Sequence, residues 1–406
     1  MSRLGLFEAI GVEIEYMIVD ASSLDVLPVC DRLIERMAGA PVSEVERGDI
    51  AWSNELVLHV LELKTNGPAR SLDGLARNFA AEVTTAREAL ADLGGTLLPG
   101  GVHPWMDPVT QTRLWPHEYN DVYRAFDRIF ECSGHGWSNL QSTHVNLPFH
   151  GDEEFQRLHA AIRFVLPLIP ALAATSPFLD GVEQPYLDAR LDAYRRNSVR
   201  IPQVAGGVVP EPIGSEQEYR DRILSPLYEA LAPVDPEGVL RHEWVNARGA
   251  IARFERGAIE IRVIDAQECP TADLSVVSMV SAVVRALTEE RWAASAALDA
   301  YPTEALADLF ARAVRDGGDA VVFDRQLTDA FGLRSSETDA LSLWRSLADR
   351  LAPDLVPAEY GSGVERLVAR GPLARRIRDQ HREGVPLHGI AGRMVDCLAN
   401  DQMLLD

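Results

Sequence analysis

The chain has 406 residues, 61 Asp+Glu against 39 Lys+Arg for a formal net charge of −22, with 47% hydrophobic and 25% charged residues. That length can bury a substantial core in one or two domains, and the composition is globular rather than disordered. The acidic balance argues against nucleic acid or an anionic membrane surface as a partner.

The opening MSRLGLFEAIG is too short and too polar for a signal peptide, and no apolar run is expected to approach the roughly 18–20 residues of a membrane span. A strand is predicted at GVEIEYMIVD, then a mixed stretch, then two strands within EVERGDIAWSNELVLHVLELKTNGPA ended by Asn66-Gly67-Pro68. Ser71 is the expected N-cap of a helix whose stripe is Leu72, Leu75, Phe79, Val83, Leu90 and Leu93, stopped by Gly94-Gly95. TLLPGGVHPWMDP reads as a strand entering a loop, residues 118 to 132 as helix, and SNLQSTHVNLPF as strand. Asp152 to Ala174 has helical spacing that Pro167 and Pro170 should kink or split. The next hundred residues look loop-rich, and Gly206-Gly207 suggests a mobile region near a ligand. GAIEIRVIDAQECP is the last convincing strand. Thr271 and Asp273 open a further helix, and beyond about residue 290 nearly everything reads helical.

These elements predict an α+β protein with a largely antiparallel sheet and a helical C-terminal portion. We expect residues 1–290 to form the catalytic unit and 291–406 a helical extension packed on the same domain. Cys30, Cys132, Cys269 and Cys397 are far apart and form no C-x-x-C, so buried free thiols in a cytoplasmic protein are expected.

Side chains at i and i+2 share a strand face, so Glu13 with Glu15, His144 with Asn146, and Glu260 with Arg262 each stand opposite an aliphatic face. The same alternation also describes solvated outer positions of one-sided strands. Taken together, however, clustered acids repel and call for cations, and hard divalent metals are the usual ones. Glu62 belongs to this set through VLELK. Glu55, seven residues earlier, would lie on the opposite face of one continuous strand, so both reach one site only if the chain bends between them. His59 and His103 are weaker candidates. There is no G-x-x-x-x-G-K-[ST] and no G-x-G-x-x-G, so a nucleotide must be held through metals and basic side chains, for which Arg248, Arg253, Arg256 and Arg262 stand near the last strand.

GVEIEY, LELK followed by a helix, GGVHP, THVNLPF, ATSPFLDG and GAIEIRVIDAQE, in that order over about residues 8 to 290, resemble the glutamate–cysteine ligase family, type 2, with a weaker echo in VERLVARGPLARRI. The resemblance implies a curved catalytic sheet of glutamine-synthetase type and an ATP-dependent reaction, with Mg²⁺ or Mn²⁺, that joins a carboxylate to an amine. Carried across by position, it implies Glu13, Glu15, Glu62, His144 and Glu260 as metal ligands with Glu55 alongside. Arg262 would touch phosphate or the substrate carboxylate; from their place near the last strand, Arg253 and Arg248 are expected beside it as nucleotide-binding cations, Arg253 also acting at the reacting groups. Asn146 stands where many members have a second histidine, and ARFER lengthens the approach to GAIEIR; both bear on the amine substrate.

The expected reaction is phosphorylation of a carboxylate to an acyl phosphate followed by amine attack. Glutamate or a related acid is the expected carboxylate and cysteine the first-choice amine, which would place the enzyme in glutathione-type thiol biosynthesis. The residues alone also leave open another amine acceptor, a metal-dependent hydrolase, or an inactive ligand-binding protein, and they do not fix the oligomeric state.

Overall fold

The computed structural model describes residues 3–333 and 337–404. Eight strands form one sheet: β1 (Gly11–Asp20), β2 (Glu44–Arg47), β3 (Ile50–Asn54), β4 (Val60–Thr65), β5 (Gly95–Leu98), β6 (Ser142–Pro148), β7 (Ala250–Arg253) and β8 (Ala258–Asp265). Their order is β2-β3-β4-β1-β6-β8-β7, with β5 added to the end of β1, and every pairing in this sheet is antiparallel. The expected α+β fold with an antiparallel sheet is therefore the observed one. β1 is the hub, because its ten residues are long enough to pair with β4, β6 and β5 together.

Alternation decides the two faces. Val12, Ile14, Tyr16, Leu61, Leu63, Val145, Leu147, Ile259 and Ile261 are buried on one face, in a single apolar cluster with residues of the helices Leu75–Ala91, Gly151–Val165 and Pro270–Thr288. The same cluster takes in Leu343, Trp344, Leu347, Tyr360, Val364 and Leu367 of the C-terminal helices. The opposite face is roofed over. Over it lies a second apolar cluster with its own core, from the helix Asn120–Phe130 and residues 201–245, including Ile129, Val204, Leu227 and Leu240, with Phe126, Trp137 and Trp244 packed against it. The space between this roof and the sheet is the main cavity.

Several local expectations change. The helix after Ser71 begins at Leu75 behind Gly74 (φ 77°), and Ser71 Oγ accepts only from Asp73 N. The N-terminal amides of that helix are met from far away: Glu359 accepts from Gly74 N at 2.7 Å and Tyr360 Oη from Ala76 N at 3.4 Å. The predicted kink is present as a helix ending at Val165, a 3₁₀ turn Leu166–Leu168 and a short helix Pro170–Ala173. The region expected to be loop-rich holds the helix Ala189–Asn197 and a helical stretch from Glu216 to Leu231 with a π turn at Arg220–Leu224, just ahead of Pro226. Val204, Val208 and Val209 are buried there, while Gly206 and Gly207 themselves are exposed.

ARFER supplies the second half of the strand β7 and its turn, unrecognised from sequence, and β7 forms a hairpin with β8. Pro270–Thr288 is long and apolar enough to cross a membrane by length and composition, contrary to expectation, but 83% of its most apolar window is buried inside the protein. Cys30, Cys132 and Cys269 are buried free thiols and Cys397 is half-buried.

Candidate active site

Register brings the polar residues together. Glu13 stands opposite Lys64 on β4 and His144 on β6, Glu15 opposite Glu62, and Glu260 opposite Asn146. These side chains line one cavity of about 1160 Å³, above the roughly 300–1,000 Å³ of a site for one small ligand, which leaves room for more than one substrate. Glu15, Glu62, His144 and Glu260 are buried, so the solvated-outer-face alternative fails: the roof covers them.

The contacts form a chain. Glu15 Oε2 accepts from Ser142 N at 2.7 Å and Ser142 Oγ at 3.0 Å, and Ser142 Oγ lies 2.9 Å from His144 Nε2. His144 Nδ1 is 3.1 Å from Glu13 Oε2 and 3.9 Å from Glu260 Oε1. Asn146 Nδ2 donates to Glu13 Oε1 at 3.1 Å, so Asn146 holds a cluster acid. Arg253 donates to Glu260 Oε2 at 2.9 Å, while Arg262 lies 3.2 Å from Glu260 Oε1. Ser53 Oγ donates to Glu62 Oε1 at 2.6 Å.

The charges remain unbalanced. Burial opposes ionisation of Glu13, but the hydrogen bond and charge of His144 outweigh it and hold its carboxyl at about 2. Burial works against protonation of His144 too, yet Glu13 and Glu15 raise it overall. Burial, then Glu62 and Glu15, push Glu55 well above the carboxylate range. Burial and Glu13 raise Glu62, against Lys64 and Ser53. The cluster thus holds protons where it lacks cations.

Two groups of donor atoms lie within 4.8 Å of one another, Glu13–His144–Glu260 and Glu15–Glu62–His144. Carboxylates with one shared imidazole form an oxygen-rich donor set that fits Mg²⁺ or Mn²⁺ better than a soft metal. Glu55 lines the cavity, because β3 and β4 form a hairpin and the chain reverses between Asn54 and Val60, but it belongs to neither group.

Arg248 is not brought to the site. It is buried outside the cavity lining, forks onto Glu211 at 2.7 and 2.8 Å and donates to Gln203 O, so it braces the segment beneath the roof. His59 and His103 are buried structural residues, each 2.7 Å from a backbone carbonyl, of Ser138 and Leu24 respectively. Sequence reasoning missed Tyr123, Trp137, Tyr194, Arg190 and Trp244, which line the cavity from the roof and its supports. Tyr123 Oη accepts from Asn54 Nδ2 at 2.9 Å, tying the roof helix to β3. Arg190 is locked onto Asp265. These residues carry no motif.

An antiparallel sheet with a buried acid–imidazole cluster under a helical roof defines the class. The chain belongs to glutamate–cysteine ligase family 2, whose model matches residues 9–388, and it is an ATP-dependent ligase that joins a carboxylate to an amine. An uncharacterized protein of Archaeoglobus fulgidus is 38% identical over 282 residues, covering 69% of this chain and 75% of that one. A Nocardioides protein named, provisionally, glutamate–cysteine ligase 2-1 is 26% identical over 293 residues, 70% of this chain and 69% of its own. The glutamate–cysteine ligase of Francisella tularensis, solved in complex with AMP, shares the fold, with a TM-score of 0.61 at 13% identity over 98% of this chain and 90% of that one.

Proposed function

We propose that this ligase activates the γ-carboxylate of glutamate with ATP and transfers the glutamyl group to cysteine. The observation that carries this reading is the cluster of buried carboxylates around His144, opening into a cavity that also presents Arg253 and Arg262. Glu13, His144 and Glu260, and Glu15, Glu62 and His144, would hold Mg²⁺ or Mn²⁺, and such ions supply charge neutralisation for phosphoryl transfer.

The chain's own groups do the rest. Arg253 and Arg262 are fixed by Glu260, and their remaining N–H groups donate to phosphoryl or carboxylate oxygens. The aromatic roof of Tyr123, Phe126, Trp137 and Trp244 limits water around the acyl phosphate, which would otherwise hydrolyse. The γ-phosphoryl passes from ATP to the carboxylate oxygen and ADP leaves; the amine nitrogen then attacks the acyl carbon, the C–N bond forms as the C–O bond to phosphate breaks, and the proton lost by nitrogen leaves with phosphate.

Hydroxylamine tests the first half-reaction. With ATP and Mg²⁺ or Mn²⁺, glutamate should give glutamyl hydroxamate and ADP, and both should vanish in EDTA or without nucleotide. Absence of the hydroxamate in the complete mixture refutes glutamate as the acid. Hydroxamate without cysteine turnover replaces only the amine.

A further inference from the structure

Of the 39 Lys and Arg residues, one is a lysine, Lys64, and it lies in the cavity. It stands on the site face of β4 opposite Glu13, with its Nζ 2.7 Å from Glu44 Oε2 and 3.3 Å from Glu62 Oε1. The oxygen it meets on Glu62 is the one to which Ser53 Oγ donates. One hydrogen-bond donor, Ser53, and the ammonium charge of Lys64, whose nearer partner is Glu44, therefore meet on a single carboxylate oxygen, while Glu62 is also a member of the Glu15–Glu62–His144 group.

We propose that Lys64 is a positioning residue: it pins one oxygen of Glu62 and leaves the other to a divalent cation. An ammonium is a point donor and can engage one oxygen from the side. A guanidinium is a planar fork whose favoured geometry takes both oxygens of a carboxylate, which would draw Glu62 out of the donor group. In a chain that otherwise uses arginine for every basic side chain, this is a physical reason for lysine at position 64. The proposal rests on the metal assignment made above, but not on the identity of either organic substrate.

The test is a Mn²⁺ titration of the full chain, followed by the paramagnetic resonance signal of free Mn²⁺ without nucleotide or amino acids, alongside thermal melts. Lys64→Arg, which keeps the charge, should weaken Mn²⁺ binding at least tenfold and bind no better than Lys64→Met. Arginine binding within about threefold of the unmutated protein overturns the proposal. Should Lys64→Arg fail to fold, Ser53→Ala decides. It removes the hydrogen-bond donor to the same oxygen, so it should weaken Mn²⁺ binding severalfold in a chain that still melts cooperatively within a few degrees of the unmutated protein, and an unchanged affinity overturns the proposal. No Mn²⁺ binding by the unmutated protein defeats the metal reading itself, and this proposal with it.

Discussion

Glu13→Gln and Glu260→Gln each conserve shape and remove one anionic oxygen from the cluster, yet they should differ in stability. Glu13 is held by His144 and Asn146; a glutamine amide can still accept from one and donate to the other, and although it loses the charge of His144 it also relieves Glu62 and Glu55 of a like charge. Glu260 is buried beneath two arginines, Arg253 at 2.9 Å and Arg262 at 3.2 Å. A glutamine there accepts from one guanidinium and turns its amide N–H groups toward the other. Losing one charge-assisted bond and leaving a mostly buried cation unpaired costs about 2–3 kcal/mol. An unfolding entropy of about 2.1 cal/mol/K per residue gives roughly 1.2 °C per kcal/mol for a chain this long, so Glu260→Gln should melt about 2–4 °C lower. Glu13→Gln should stay within about 1 °C. Both should lose ADP release with the acid substrate by more than about 100-fold, or at least 2.7 kcal/mol of barrier. Melting curves and a coupled ADP assay on the two variants are sufficient. Equal melting temperatures would refute the arginine argument, and a rate loss below about tenfold in either variant would remove that glutamate from the metal ligands.

Three further outcomes are expected. His159 is fully buried beside Phe155 and Tyr219 with neither ring nitrogen partnered, and burial, then Arg163, lowers it from 6.5 to about 4. Its folded pKa is depressed, so the stability of the neutral ring is complete above pH 6.5 and is lost as pH falls toward 4, about 2 kcal/mol of it by pH 5. His159→Phe should therefore lose about 2 °C less than the unmutated protein between pH 7 and 5, and parallel curves would contradict this. Asp273, buried beneath the sheet where its Oδ1 accepts from Thr143 Oγ1 and Gln267 N, is raised to about 8 by burial and, less strongly, by Glu268 and Asp401. A raised carboxyl favours the fold below pH 3.8 and loses that contribution as pH rises through 8. Asp273→Asn should thus match the unmutated protein at pH 4 and melt higher at pH 9, whereas a pH-independent difference would count against a protonated Asp273. Because Glu55, Glu62 and His144 are all raised, Mn²⁺ binding should release protons at pH 6 and fewer at higher pH, measurable with an indicator dye in weak buffer; no release at pH 6 would contradict the proton-holding cluster.

Much of the sheet was legible because its signal is local. Alternation in GVEIEY, THVNLPF and GAIEIR set both faces, and antiparallel pairing then brought Glu13, His144 and Glu260 together. What failed depended on distant partners. The helix after Ser71 starts at Leu75, its free amides met by Glu359 and Tyr360 more than 280 residues away, and no local pattern encodes that. Arg248 sits two residues before β7, where proximity to the last strand suggested a ligand contact, but Glu211 from another loop claims its fork. β7 itself is four residues long, too short for alternation to separate it from a charged loop.

Glu55 shows where the limit lies. Its parity against Glu62 placed it on the wrong face of a single strand, and only the reversal between β3 and β4 carries it into the cavity. Once there, it adds an acid to a cluster most of whose nearby cations are already engaged, Arg253 and Arg262 with Glu260 and Lys64 with Glu44 and Glu62, while Arg256 lines the cavity and lowers Glu13 by its charge. Burial beneath the roof weakens the solvation of the acids, so bound protons or added cations meet the remaining negative charge. The roof that defeated the expectation of a solvated strand face is thus also what makes the site dependent on cations. The first was invisible in the strands because the roof's apolar cluster comes from segments far from them in sequence; the second was visible because acids on one face need a counter-charge wherever the roof comes from.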